Sequence, residues 1–152
     1  MTAPHDPESL VAGRLGPDGH CLPVRIYYED TDAGGIVYHA AYVRFMERGR
    51  TDFLRHLGVR QSEASAGPEG VFFAVRHMEI DFLKPARLDD LVEVRTALRE
   101  IGGARLVLAQ SVRIGAEILV SAKVTIAALG KTGRPRRIPE AVRAAFARFA
   151  SV

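Results

Sequence analysis

The spacing of apolar positions changes along this chain, and each change marks an element. From about Ala40, the residues Tyr42, Phe45, Met46, Gly49, Phe53 and Leu57 recur at helical spacing. They form a stripe on one face of a helix about five turns long. Arg44, Arg48 and Arg55 lie off the stripe, and Gly58 is placed to end the helix in a left-handed cap. Downstream the period becomes two. Met78, Ile80 and Phe82 alternate with His77, Glu79 and Asp81, and Val92, Val94, Thr96 and Leu98 alternate with charged neighbours. Two more runs follow, one from Leu106 to Val112 and one from Ile118 to Ile126. Gly102-Gly103 and Gly115-Ala116 offer tight turns between them. This alternation describes an antiparallel sheet with one face buried.

Upstream, Val24 to Glu29 reads as a short strand, and Asp30 to Gly35 as a loop. Residues 1–23 hold Pro4, Pro7, Gly13, Gly16, Pro17, Gly19 and Pro23 and read as a flexible leader, so the domain is expected over 24–150. Gln61 to Gly70 reads as a polar loop, and Pro139 opens a terminal helix over 139–150. The class is α+β: one long helix laid across a curled antiparallel sheet. Phe45, Met46, Phe53, Phe72, Phe73 and Phe82 are the expected core. Sheet edges left open by one copy predict self-association into a homo-oligomer.

Composition narrows the class. At 47 % apolar and 26 % charged residues, the 152-residue chain is neither disordered nor a disulfide scaffold. The single cysteine, Cys21, has no intramolecular partner. No apolar run is long enough to span a bilayer, and the first residues lack the cationic and apolar segments of a signal peptide, so a cytoplasmic location is expected. From Ser121 onward seven basic residues face one acid (+6), while the preceding part carries 14 basic and 17 acidic residues (−3). Such a basic end suits an anionic partner or is a solvated tail. It lacks the interleaved aromatics of a nucleic-acid surface, for Phe146 and Phe149 fall at helical spacing.

The candidate chemistry lies before the long helix. No G-x-S-x-G, H-E-x-x-H or P-loop is present. The histidines (His5, His20, His39, His56, His77) show no metal-ligand spacing with cysteine, and Cys21 falls in the expected leader. Neither a metal site nor a cysteine nucleophile is therefore expected. What remains is the segment from Tyr28 to Tyr42, with Asp30, Asp32, Gly34, Gly35 and His39. A carboxylate followed by glycines at a junction into a helix can sit beside unpaired backbone N–H groups, which is what acyl transfer needs. Asp32 could equally be no more than an Asx-turn residue ahead of Gly34.

That segment closely resembles the hot-dog-fold thioesterases of the 4-hydroxybenzoyl-CoA thioesterase family, within it most of all the tol-pal system-associated acyl-CoA thioesterases. Phe45-Met46-Glu47-Arg48, Val75-Arg76 and the stretch from Lys84 to Asp90 also fit the family pattern. The resemblance implies a hot-dog fold and hydrolysis of acyl-CoA, or of an acyl carrier protein thioester. It implies Asp32 as nucleophile or general base, His39 as the group orienting the carbonyl or water, and Tyr28 beside the carboxylate. Asp30 is then a turn-stabilising side chain. Glu47, the counterpart of a helix-borne acid in a related clade, reads better as an ion pair with Arg44, Arg48 or Arg50. No cofactor is implied, CoA being part of the substrate. The implied assembly is a tetramer of hot-dog dimers with the active site between subunits. Arg134, Arg136 and Arg137 are the candidates for the CoA phosphates. The competing readings are a hot-dog hydratase and a non-hydrolytic acyl-thioester or carrier-protein binding module.

Overall fold

The computed structural model describes residues 13–149. The strands are β1 (Arg14–Gly16), β2 (Gly19–Arg25), β3 (Phe72–Phe82), β4 (Leu91–Ile101), β5 (Arg105–Ile114) and β6 (Glu117–Leu129). The helices are α1 (His39–His56), a single turn α2 (Gln61–Ala64) and α3 (Glu140–Ala147). All six strands form one antiparallel sheet in the order β1-β2-β4-β5-β6-β3. Helix α1 lies across its inner face against β2, β4 and β5.

The stripe on α1 is buried as its spacing requires. Ala41, Tyr42, Phe45, Met46, Gly49, Phe53 and Leu54 are all inside, facing Val92, Val94, Val112, Val120 and Val124 of the sheet. Each fully buried Phe or Met side chain contributes roughly 1.5–3 kcal/mol. Gly49 sits where helix and sheet come closest. A Cβ there would stand 2.9 Å from Val94 Cγ1 and 3.3 Å from Thr96 Oγ1. The helix then ends in two bonds, Val59 N–H to Leu54 O (2.9 Å) and Gly58 N–H to Arg55 O (3.0 Å), with Gly58 at φ +84°. That is a Schellman cap, and the left-handed angle is why glycine holds the position.

One buried charge interrupts the apolar layer. Arg50 donates to Gln110 Oε1 (2.9 Å) and Glu47 Oε2 (2.6 Å), while Gln110 donates to Met46 O (3.0 Å) and Thr96 Oγ1 (2.9 Å). A buried guanidinium is tolerable only when its donors are matched in this way.

The structure corrects four expectations. The supposed leader is strand from Arg14 onward, with His20, Cys21, Leu22 and Val24 buried; residues 1–12 lie outside the described residues. Among the described residues β1 reaches only as far as Cys21, and Pro23 is paired through β4 alone, an edge setting in which a residue without N–H is tolerated. The strand expected through Glu29 stops at Arg25, and Tyr28–Asp30 is a 3₁₀ turn. There Tyr27 N–H donates to Asp30 Oδ2 (2.8 Å), a local bond that replaces the sheet ladder. Phe72 and Phe82, expected in the core, are 43 % and 49 % exposed because they lie on β3, the outermost strand. The terminal helix begins one residue later than expected, with Pro139 as its N-cap.

The close approach at Gly49 gives a test. Gly49→Ala favours the helix by about 1 kcal/mol. It overfills a rigid contact, however, and is expected to lower stability on balance by about 1–3 kcal/mol. Urea unfolding should show a lower midpoint at an unchanged m value.

Candidate active site

The loop ahead of α1 is closed on itself. An isolated antiparallel bridge pairs Thr31 with Val37, Asp32 N–H donates to Ile36 O (2.8 Å), and Gly35 N–H donates to Asp32 O (3.0 Å). Gly35, at φ +78°, supplies the left-handed residue of this turn. Asp32 Oδ1 accepts the Gly34 N–H (2.8 Å). The Asx turn is therefore real, but it uses only one carboxylate oxygen.

Three bonds fasten the loop to the body. Val37 N–H donates to Ala86 O (2.9 Å), Tyr38 N–H to Asp30 O (2.9 Å), and Ala86 N–H to the buried Tyr42 hydroxyl (2.9 Å). The bond between Tyr38 and Asp30 draws the two ends of the segment together, which brings the Asp32 turn to the start of α1. No side chain caps that helix start. The N–H groups of His39 and Ala40, which have no partner among the described residues, and the positive end of the helix dipole therefore lie beside the carboxylate turn, while Ala41 N–H donates to Tyr38 O (2.8 Å).

His39 is the first residue of α1 and is exposed. Its ring lies 4.5 Å from that of Tyr38 and 6.1 Å from that of Phe82. Tyr28 is in the 3₁₀ turn, 83 % exposed, and no hydrogen bond among the described residues links its hydroxyl to Asp32. Asp30 is buried and spent on Tyr27 N–H, the turn-stabilising part. Glu47 is occupied by Arg50 (2.6 Å) and Thr51 (3.0 Å), so of the three arginines considered it pairs with Arg50.

The arginine cluster is elsewhere. Residues 130–138 fold back at the far end of β6, through Arg136 N–H to Ala128 O and Ile138 N–H to Gly103 O. Arg136 is taken by Glu69, while Arg134 and Arg137 are exposed. The Asp32 loop is at the other end of the sheet, where His39 meets Phe82, which pairs with Val120. From Val120 to Leu129 the strand runs about 30 Å. One copy of the chain does not bring its arginines to its own Asp32.

A profile of the thioesterase superfamily matches residues 34–125. The chain belongs to the thioesterase superfamily. It is 44 % identical over 127 residues to the acyl-CoA thioester hydrolase YbgC of Escherichia coli O6:H1, covering 82 % of this chain and 92 % of that one. Identity to the acyl-CoA thioesterase YbgC of Haemophilus influenzae is 42 % over 131 residues, covering 85 % and 95 %. A probable thioesterase from Bartonella henselae superposes with a TM-score of 0.76 at 45 % identity, covering 79 % of this chain and 98 % of that one. The gentisyl-coenzyme A thioesterase BH1999 does so with 0.75 at 26 % identity, covering 84 % and 99 %. The curled sheet around α1 is the hot-dog fold of this superfamily.

Two features of this superfamily member escaped the sequence reading. Cys21 is a buried strand residue, and burial, with Glu93 beside it, raises its thiol pKa. It is a poor nucleophile for that reason and not because it is mobile. The second feature is a cluster at the C-terminal end of α1. His20 Nε2 lies 2.6 Å from Asp52 Oδ2, and His56 Nε2 lies 3.4 Å from the same oxygen. Asp52 and His56 stand at i and i+4 on one helix face, which was the visible half of the signal.

Burial lowers the pKa of His20 below its ordinary 6.5, outweighing the upward pull of Asp52. The folded chain thus binds this proton more weakly than the unfolded chain does. The stability is complete above the unfolded value and is lost as pH falls below about 6.5. In EDTA, the melting temperature should drop between about pH 7 and pH 5.5, and drop less in His20→Phe. An equal slope in both would show that other groups carry the effect.

Proposed function

We propose that this chain hydrolyses acyl-CoA thioesters to a free acid and free CoA thiol, with Asp32 as the group acting at the thioester carbon. The observation that carries this is the Asp32 turn: one carboxylate oxygen held by Gly34 N–H, the other without a hydrogen bond among the described residues, beside an uncapped helix start. The names of the YbgC relatives supply the substrate class.

The chemistry follows from that placement. The acyl oxygen becomes negative as the carbonyl is attacked, and the first N–H groups of α1 are suited to stabilise it. Asp32 serves either by attacking the carbonyl carbon, giving a mixed anhydride that water opens, or by taking a proton from the attacking water. In both routes the C–S bond breaks and the thiolate leaves, gaining a proton from solvent. His39 orients the carbonyl or the water, and Tyr28 borders the site. No cofactor is needed, and acyl carrier protein is the alternative carrier of the same thioester. Asp32→Asn should lower kcat by roughly 10²–10⁴ with little change in KM. Asp30→Asn, acting on the turn alone, should cost far less in a thiol-release assay. Equal losses would reject Asp32 as the reacting group.

A homodimer completes this site. β3 is an edge strand whose Phe72, Val75 and Phe82 are exposed. Two such edges paired antiparallel about a two-fold axis place the Phe82 end of one copy beside the Phe72 end of the other. Phe72 pairs with Leu129, so Arg134 and Arg137 of a second copy then approach the Asp32 loop of the first. The CoA phosphates bind there, and the acyl group lies under the apolar rim of Tyr27, Tyr38, Phe82 and Leu83. Light scattering should give at least a dimer of about 33 kDa, twice the 16.6 kDa chain. The double variant Arg134→Ala/Arg137→Ala should raise KM and spare kcat, because remote phosphate contacts hold substrate and transition state alike. A mixed dimer of that variant with Asp32→Asn keeps one complete site, so parental KM should return at half the parental kcat. Recovery of neither would reject a site shared between copies.

A further inference from the structure

The cluster at the C-terminal end of α1 is separate from the Asp32 loop. Thirteen residue steps of helix separate His39 from Asp52, about 20 Å along the axis. His20 of β2 and Asp52 and His56 of α1 each offer one donor atom, and the three atoms lie within 4.8 Å of one another. We infer that His20, Asp52 and His56 form a binding site for a divalent transition-metal cation of the zinc type, which ties β2 to the end of α1.

The donor set suits that cation. Two imidazoles and one carboxylate leave a fourth position for water, the three-protein-ligand arrangement that zinc accepts; calcium and magnesium prefer all-oxygen shells. In a tetrahedral zinc site, bonds of about 2.0–2.1 Å place neighbouring donor atoms about 3.3 Å apart. His56 Nε2 and Asp52 Oδ2 already stand 3.4 Å apart. His20 Nε2 is 2.6 Å from the same oxygen, the separation of two atoms sharing a proton. A cation replacing that proton widens this contact by about 0.7 Å.

The surroundings are built as well. The His20 side chain is fully buried, and among the described residues its Nδ1 has no hydrogen-bond partner and Asp52 is the only polar group holding the ring. The ring is stacked on Phe53 at 5.5 Å, which fixes its plane. Gly13 N–H donates to Asp52 Oδ2 (2.8 Å), the outer hydrogen bond that orients a ligating carboxylate. A side chain at position 13 would fill the place: a Cβ there would lie 2.7 Å from His20 Nε2 and 2.9 Å from Asp52 Oδ2. His56, 28 % exposed, leaves one side open for the cation to enter.

The full chain, stripped with EDTA and dialysed, is titrated with zinc chloride by calorimetry and with cobalt chloride by visible absorption. One equivalent of zinc should bind per chain, cobalt should give the intense bands of four-coordinate geometry, and magnesium should not bind. Saturating zinc should raise the melting temperature by about 5 °C or more, as a ligand of the folded state does. His56→Ala should weaken zinc binding by at least about thirtyfold while folding as the parent does in EDTA. His56→Gln serves the same purpose if the Ala variant melts early. His77→Ala, which alters a described histidine outside the cluster, should bind zinc as the parent does. A parent that takes up no zinc, a His56 variant that retains its affinity, or loss of binding in His77→Ala overturns the site.

Discussion

Everything in this molecule depends on a single helix having one sheet to lie against. One apolar face of eighteen residues must be covered over its whole length, and the sheet achieves this by curling around α1. The closeness of that fit is set at Gly49, where the absence of a side chain lets Val94 and Thr96 approach the helix backbone. The Arg50–Gln110–Thr96 network lies beside that point and fixes register as well as position, since Gln110 also binds Met46 O. Both ends of α1 inherit this rigidity, one presenting the Asp32 loop and the other the His20–Asp52–His56 cluster.

The loop is an instance of position being transmitted through backbone. Asp32 makes no direct contact with the core. It is held because Val37 and Tyr38 are bonded to Ala86 and Asp30, and Ala86 in turn to Tyr42 of α1. A carboxylate on such a turn keeps its free oxygen in place without burying it. That combination suits chemistry on a substrate that arrives from solvent.

What could be read from the sequence was whatever local period or local motif encodes. The stripe of α1, its Gly58 cap, the alternating strands and the Asp32 turn all lie within a few neighbouring residues, and all are found in the structure. Contacts between distant segments were not legible. β1 and β2 were hidden because Pro23 and several glycines look like linker until β4 supplies a partner. The arginine cluster looked close to the chemistry because sequence does not say at which end of a sheet a segment turns back. His20 and Asp52 are 32 residues apart, and only the fold makes them neighbours. The exposure of Phe72 and Phe82 was invisible for a similar reason: alternation reveals a face of a strand, not its place in the sheet order.

That place in the order has a consequence for any single copy of the chain. An edge strand of eleven residues is a template on which any extended peptide could add itself, and apolar side chains make it adhesive. β3 carries Arg76, His77, Glu79 and Asp81 between its apolar residues, so a stray strand must match charge as well as shape. The bulge between Val75 and His77 further breaks the regular ladder such a peptide would need. A single copy is thereby shielded from indiscriminate strand addition even while its edge stays bare.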